Sequence, residues 1–398
     1  MDVLFIEWLN LILRWLHVVA AMAWIGSSFY FIALDLSLQP KEHLPKQAYG
    51  EAWQVHGGGF YHVVKYLVAP ARMPDHLTWF KWEAYTTWMS GFALMVVVYY
   101  LNPEMFLIDR SVLDMGPQEA IVISLGALAI TWGAYEGLCR SSLRSNQTLV
   151  ALIGYVFLVA LTYGFTHVFG GRGAFVHIGA LIGTIMVANV FVVIIPNQKK
   201  TIDALIAGRV PDAHWGAESK LRSVHNNYLT LPVVVMMISG HYPLLFATKY
   251  NYLIVALVLL LGPVIRHFFN ERHAGRKSPW WVWGVAAALM VAIFWLTGAG
   301  PRGGLAALPA ATPPVTFAQV EEVVISRCSM CHGPETAWPG IAAAPKGIVL
   351  HDEASIRQYM HLIEVAAVRS DAMPPGNVTD MQPQERAIIA AWLASGGK

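Results

Sequence analysis

Charge is scarce in this chain. Of its 398 residues, 13% are Asp, Glu, Lys or Arg, about half of what a soluble domain carries. Meanwhile 56% are hydrophobic and the mean hydropathy is +0.48. That balance excludes an ordinary soluble globule. Neither sign of charge dominates, since 27 basic residues stand against 25 acidic ones for a net charge of +2. No basic field exists for a nucleic-acid partner. Three cysteines are too few for a disulfide scaffold. The N-terminal stretch also lacks a basic region followed by a small-residue cleavage site, so its apolar segment is expected to stay in place as a helix. What the sequence does have is 15 histidines and 15 tryptophans, and histidine is the commonest side-chain ligand for metals and haem.

Eight stretches are long, apolar and nearly uncharged: 9–34, 86–101, 120–138, 148–167, 173–195, 229–246, 251–268 and 279–298. Each approaches the ~20 residues that cross about 30 Å of hydrocarbon as a helix. The expected fold class is therefore all-α, a polytopic membrane bundle of eight transmembrane helices over residues 1–300. Alternate loops divide the Lys and Arg residues sixteen to four. The positive-inside rule places the richer set in the cytoplasm, and an even number of spans leaves both termini outside, in the periplasm of a bacterial inner membrane. Residues 301–315, PRGGLAALPAATPPV, read as a Pro/Ala/Gly linker. Residues 316–398 have the composition of a small soluble helical domain.

That tail carries Cys328-Ser329-Met330-Cys331-His332, the C-x-x-C-H attachment sequence for one covalent c-type haem. Two thiols bond to the two vinyl groups on one porphyrin edge, and the adjacent His332 ligates the iron. The expected domain is a class I-like cytochrome c. Met373, within Met373-Pro374-Pro375-Gly376, is the sixth-ligand candidate, with Met360 and Met381 as rivals. Met/His ligation suits an electron acceptor. The sidedness count placed this tail outside independently of the motif.

In the bundle, His17, His167, His177 and His241 lie in the outer halves of the spans, and His56, His62 and His225 on the cytoplasmic side. Buried between helices, each is either hydrogen-bonded or a ligand. Two echoes, His17 to Gly26 with His177 to Met186 and Val55 to Tyr61 with Val224 to Tyr228, suggest a tandem four-plus-four repeat. The first loop, EAWQVHGGGFYHVVKYLVAPARMPDHLTWFKWE over 51–83, joins three glycines, which allow close backbone approach, to Lys65, Arg72, Lys81 and Trp79. That set suits a flat, anionic, nitrogen-rich substrate. Its bland alternative is an interfacial belt of aromatic and basic residues.

Taken together, HGGGFYHVVKY, WFKWEAY, GGRGAFVHIGA, SVHNNYLTLPV, RHFFNERH and the C-terminal CSMCH resemble the bacterial membrane-bound urate oxidases fused to cytochrome c, also called urate hydroxylases. The resemblance spans essentially the whole chain. It implies oxidation of urate to 5-hydroxyisourate in purine catabolism. Electrons would leave through the cytochrome to a soluble cytochrome or a terminal oxidase, without hydrogen peroxide. On that basis Lys65, Arg72 or Lys81 would hold the urate monoanion, with Trp79 stacking on it. His56, His62 or His225 would remove a proton, and Asn226 and Asn227 would pair with the ring edges. A b-type haem held by two of His17, His167, His177 and His241 would relay electrons across the membrane. Two rival readings are a quinol:cytochrome c oxidoreductase with b haems in the bundle, and a haem or metal transporter with a fused redox domain.

Overall fold

The structure is a computed structural model that describes residues 3–66, 74–306 and 314–396. Eight longer helices make up the first three hundred residues. They are α1 (Val3–Ser37), α2 (Trp82–Met95, prolonged by the π-helical turn Val96–Tyr100), α3 (Pro117–Arg140), α4 (Gln147–Thr166), α5 (Gly171–Ile206, with a π-helical turn at Asn189–Ile194), α6 (Ala213–Ile238), α7 (Asn251–His273) and α8 (Trp281–Thr297). Five of them, α1, α3, α4, α5 and α7, are long and apolar enough to cross a membrane. α8 is a shorter apolar helix of 17 residues.

The other two depart from the expected spans for readable reasons. α2 changes from α to π winding near its end. α6 begins at Ala213 and stops at Ile238, where a 3-10 turn and the short helix Pro243–Phe246 take over. Its first half is polar, with His214 and Lys220 exposed and Ser219, Arg222, Asn226 and Asn227 buried, so an apolar-run reading passes over it.

Large apolar side chains stay outside the fold on two of these helices. α1 exposes Trp8, Leu11, Ile12, Trp15, Val18, Val19 and Met22, and α8 exposes Trp281, Val291, Phe294 and Trp295. Patches of this extent are unfavourable in water and expected against lipid. The core lies around α5, where Phe175, Ile178, Leu181 and Ile182 are buried by packing against α2, α3, α4 and α6. Close crossings need small residues. A Cβ on Gly262 of α7 would stand 2.3 Å from Pro232 Cδ of α6.

The expectation of a purely helical chain is corrected by one hairpin, β1 (Ala48–His56) and β2 (Gly59–Tyr66), paired antiparallel with His56 opposite Gly59. Gly57 and Gly58 adopt φ of 57° and 79°, the left-handed pair that a type I′ turn demands. The glycine run therefore turns a hairpin. Val55 and Phe60 at its tip are 70% and 78% exposed. The proposed echo fails here, because Val55–Tyr61 is a hairpin tip while Val224–Tyr228 lies within helix α6.

The tail forms α9 (Phe317–His332), α10 (Glu353–Gln358), α11 (Met360–Ile363, prolonged by the π-helical turn Glu364–Val368) and α12 (Pro383–Ala394). Their shared core includes Val320, Val324, Ile356, Ile389 and Trp392.

Candidate functional site

The hairpin organises its own polar set. Glu51 on β1 is 6% exposed, and its Oε2 meets His62 Nε2 at 2.6 Å and His43 Nε2 at 3.0 Å. Burial alone would raise this carboxyl, but hydrogen bonds from the two imidazoles outweigh it and hold Glu51 below the ordinary carboxylate range. Trp53 stacks on His62 with ring centroids 4.2 Å apart. Lys65 is neutralised by Asp35 of α1, Nζ to Oδ1 2.5 Å. His56 sits exposed at the turn. Lys81 lies over Trp79 and Trp82 at 5.8 and 5.6 Å, and Arg72 falls outside the described residues. Among those residues, no hydrogen bond, ion pair or ring contact joins His56, His62 or Lys65 to His225. The expected catalytic group is thus divided between the hairpin and α6.

α6 carries the second set, and its neighbours complete it. Arg222 is 1% exposed. It lies 2.8 Å from Glu136 Oε2 of α3 and over the Tyr135 ring, and it donates to Asn189 Oδ1 at 3.2 Å. Asn189 opens the π-helical turn of α5, an irregularity frequent at functional sites. Asn189 Nδ2 donates to Tyr135 Oη at 3.0 Å and to Asn226 Oδ1 at 2.9 Å. Because an amide nitrogen only donates, the Tyr135 hydroxyl accepts from Asn189 and donates its O–H to His225 Nδ1, 2.7 Å away. His225 Nε2–H then donates to Gln147 Oε1 at 3.2 Å. From Arg222 through Asn189, Tyr135 and His225 to the exposed Gln147, each group donates to the next, while Asn189 also donates to buried Asn226.

A different face of α6 presents Asn227 to α7. Its Oδ1 accepts from Arg266 Nε at 3.4 Å and from Asn270 Nδ2 at 3.0 Å, while Arg266 also donates to Asn270 Oδ1 at 3.1 Å. The Arg266 guanidinium lies 3.9 Å from the centroid of the Phe29 ring of α1. Asn227 Nδ2 is buried without a hydrogen-bond partner among the described residues, and so is His273 Nδ1 farther along α7. No carboxylate among the described residues comes within ion-pairing reach of Arg266, unlike Arg222.

The four outer histidines have separate surroundings. His17 donates from Nδ1 to Thr87 O at 2.9 Å, and its ring rests on Gly91, where a Cβ would come within 2.8 Å. His167 and His241 are exposed. His177 is buried, donates to Gly173 O at 2.7 Å, and keeps an unpartnered Nε2 beside the rings of Tyr99, Phe165 and Phe169. No hydrogen bond or ring contact joins any two of the four.

In the tail, α9 ends on Cys328, Cys331 and His332. His332 Nδ1 is 2.8 Å from Ile348 O, which orients the ring and leaves Nε2 available. Met360 and Met381 are core residues, 7% and 3% exposed. Met373 is half-buried, with its backbone held on both sides, N–H to Ala366 O at 2.9 Å and C=O from Arg386 at 3.0 Å.

A protein-family model described as urate oxidase N-terminal matches residues 3–297. The chain belongs to this family. No curated protein and no solved structure matches it. The urate oxidase match covers the bundle and the hairpin and stops short of the tail. Within this urate oxidase-related bundle the polar sets contain residues that sequence reasoning passed over: Tyr135, Asn189, Arg222, Arg266, Asn270, Phe29 and Glu51. Arg222 and Arg266 were counted as loop charges in the sidedness argument, yet both are buried. The signal that could have found them is spacing, since Arg222 with Asn226 and Arg266 with Asn270 each repeat at i, i+4, one face of a helix.

Proposed function

We propose that this protein oxidises urate to 5-hydroxyisourate within the membrane and passes the electrons to a c-type haem on its own tail, and from there to the respiratory chain, without forming hydrogen peroxide. The observation that carries the reading is Arg266. It is a buried guanidinium with no carboxylate partner, stacked on Phe29 and bonded to an asparagine whose own amide donor is unused. An uncompensated buried cation is costly, and a planar anion that meets the free N–H edge of the guanidinium removes the cost. Family membership supplies urate as the substrate class.

In this reading Arg266 holds the urate monoanion and Phe29 stacks on the ring. Asn227 Nδ2 donates to a ring carbonyl. His273 shares the α7 face at the i+7 position, and its unpartnered Nδ1 accepts the proton. The balance is urate monoanion plus water giving 5-hydroxyisourate, one proton and two electrons.

The tail residues suit a covalent haem. Two thiols and an imidazole with a free Nε2 end one helix, and a thioether stands on a separately clamped loop, so Cys328 and Cys331 would hold the ring and His332 and Met373 the iron. Bound there, the haem would supply a one-electron acceptor. Among the described residues no cluster of three or more His, Cys, Asp or Glu forms a metal site, and haem requires none, because the porphyrin fills the equatorial positions. For a b-type haem, His177 alone of the four outer histidines offers a buried, unpartnered nitrogen. The charge asymmetry of the loops supports an inner-membrane location with the tail in the periplasm.

The test is anaerobic addition of urate to detergent-purified holoprotein while reading the reduced c-haem absorbance. Urate is expected to reduce the haem, with 5-hydroxyisourate appearing in step. Reduction by quinol alone, or peroxide formed in step with urate loss in air, would overturn the reading.

A further inference from the structure

Arg302 stands at the start of the segment expected to be a free linker, and it is half-buried between two domains. Its Nη2 lies 2.8 Å from Asp109 Oδ2, in the loop before α3, and its Nε lies 3.0 Å from Asp371 Oδ2, just ahead of Met373 in the tail. Its backbone N–H reaches the same Asp371 oxygen at 3.2 Å. One cation thus joins a carboxylate from the bundle to a carboxylate from the tail. Without it, the two acids would face each other.

The rest of the Met373 loop makes the same contact in other ways. Asp371 N–H donates to Ala247 O at 3.0 Å, and Ala372 is buried within the core cluster of the bundle. Gly376 has φ of 57°, and a Cβ there would stand 2.6 Å from both Glu104 O and Ile108 O. Only glycine permits so close an approach in that conformation. On its other side the loop is held by Ala366 and Arg386 of the tail. The loop that bears the proposed iron ligand is therefore also the surface by which the tail sits on the bundle.

We infer that Arg302 is a positioning residue that clamps the Met373 loop to the outer end of the bundle, so that electrons leave the bundle through this docked contact and not across a swinging tether. The inference rests on the proposed electron path, but its first readout does not. Buried or half-buried charges stabilise a contact only when each is well paired, and here one guanidinium is the ion-pair partner of both carboxylates, with Ser111 donating to the other oxygen of Asp109.

The experiment compares full-length holoprotein with its R302M variant by hydrogen–deuterium exchange and by two reduction assays. Exchange is expected to rise together at residues 371–376 and 103–109. Urate-driven haem reduction is expected to slow roughly tenfold or more, the change that losing a charge-assisted hydrogen bond makes in a docking equilibrium. Reduction by ascorbate, and the far-red methionine–iron charge-transfer band, should stay as in the parent. Unchanged exchange at both segments, or an unchanged urate-driven rate, would overturn the inference. So would loss of the charge-transfer band with slowed ascorbate reduction, which would make Arg302 a folding residue of the tail. If urate fails to reduce the parent haem, the proposed function falls, while the exchange comparison still decides the docking.

Discussion

Replacing Arg266 by methionine separates a ligand-holding cation from a structural one. The guanidinium has five N–H donors, and the structure engages it with Asn227 and Asn270 only, which leaves donors for an anion. A hydrogen bond to a charged group contributes about 1.5–3 kcal/mol, and each ~1.4 kcal/mol is tenfold in affinity. R266M should therefore weaken urate binding by roughly ten- to a hundredfold. The methionine keeps apolar contact with Phe29 and strands no opposite charge, so any loss of melting temperature should be limited to the Asn270 Oδ1 acceptor left unpaired, about 1–3 kcal/mol. Arg222 makes the control. R222M leaves Glu136, 14% exposed and 2.8 Å from the lost guanidinium, with the exposed Arg140 as its remaining ion-pair partner, and breaking a buried pair costs up to about 3–5 kcal/mol. Its first effect should be a lower melting temperature. R266K should fall between, since lysine keeps the charge and loses the planar fork. The assays are equilibrium urate binding, KM from haem reduction and thermal unfolding in detergent. An R266M protein with parental KM and parental melting temperature would refute the assignment of Arg266.

Three further outcomes follow from the geometry. Gly262→Ala places a methyl 2.3 Å from Pro232 Cδ, so the α6–α7 crossing must shift, and overpacking of this kind costs about 1–3 kcal/mol, read as a lower melting temperature. The Glu51 carboxyl is held below its ordinary value, so its contribution to the hairpin is present above about 4.3, the usual glutamate value, and is lost as pH falls through the depressed one. Trp53 fluorescence, sensitive to stacking on His62, should report that acid transition, and Glu51→Gln should remove it. Met373→Leu should abolish the methionine–iron charge-transfer band, whereas Met360→Leu, a near volume-conserving change in the core, should preserve it; the reverse pattern would reassign the ligand.

How much could be read in advance depends on what each pattern measures. The apolar runs located the hydrophobic part of the helices, because burial in lipid or core asks for the same side chains at every turn. They could not locate the start of α6, where exposed His214 and Lys220 and buried Arg222 and Asn226 interrupt any apolar run. Asn226 and Asn227 stood out as adjacent amides, but only the fold shows that they face different neighbours, one toward Asn189 of α5 and the other toward Arg266 of α7. The hairpin was missed because three consecutive glycines serve equally for a tight turn or for close approach to a ligand. β2 also lacks a clean apolar–polar alternation, and the strand period is the sequence signal for a half-buried sheet. Arg302 was hidden by composition, since a Pro- and Gly-rich stretch has no core of its own but can still place one charge between two acids.

These misses share a cause. On the proposed membrane location the rule that apolar residues lie inside loses its force, because lipid would accept the apolar side chains that α1 and α8 expose. Information then moves to the polar residues, which must face inward or water. Arg222 with Asn226, and Arg266 with Asn270 and His273, repeat at helical spacing, and the bundle brings them to the crossings of α3, α5, α6, α7 and α1. The polar period therefore reads the interior of such a chain more directly than the apolar one. The two buried arginines it finds differ by one feature, a carboxylate beside Arg222 and none beside Arg266, and that difference assigns the first to holding helices together and the second to receiving an anion.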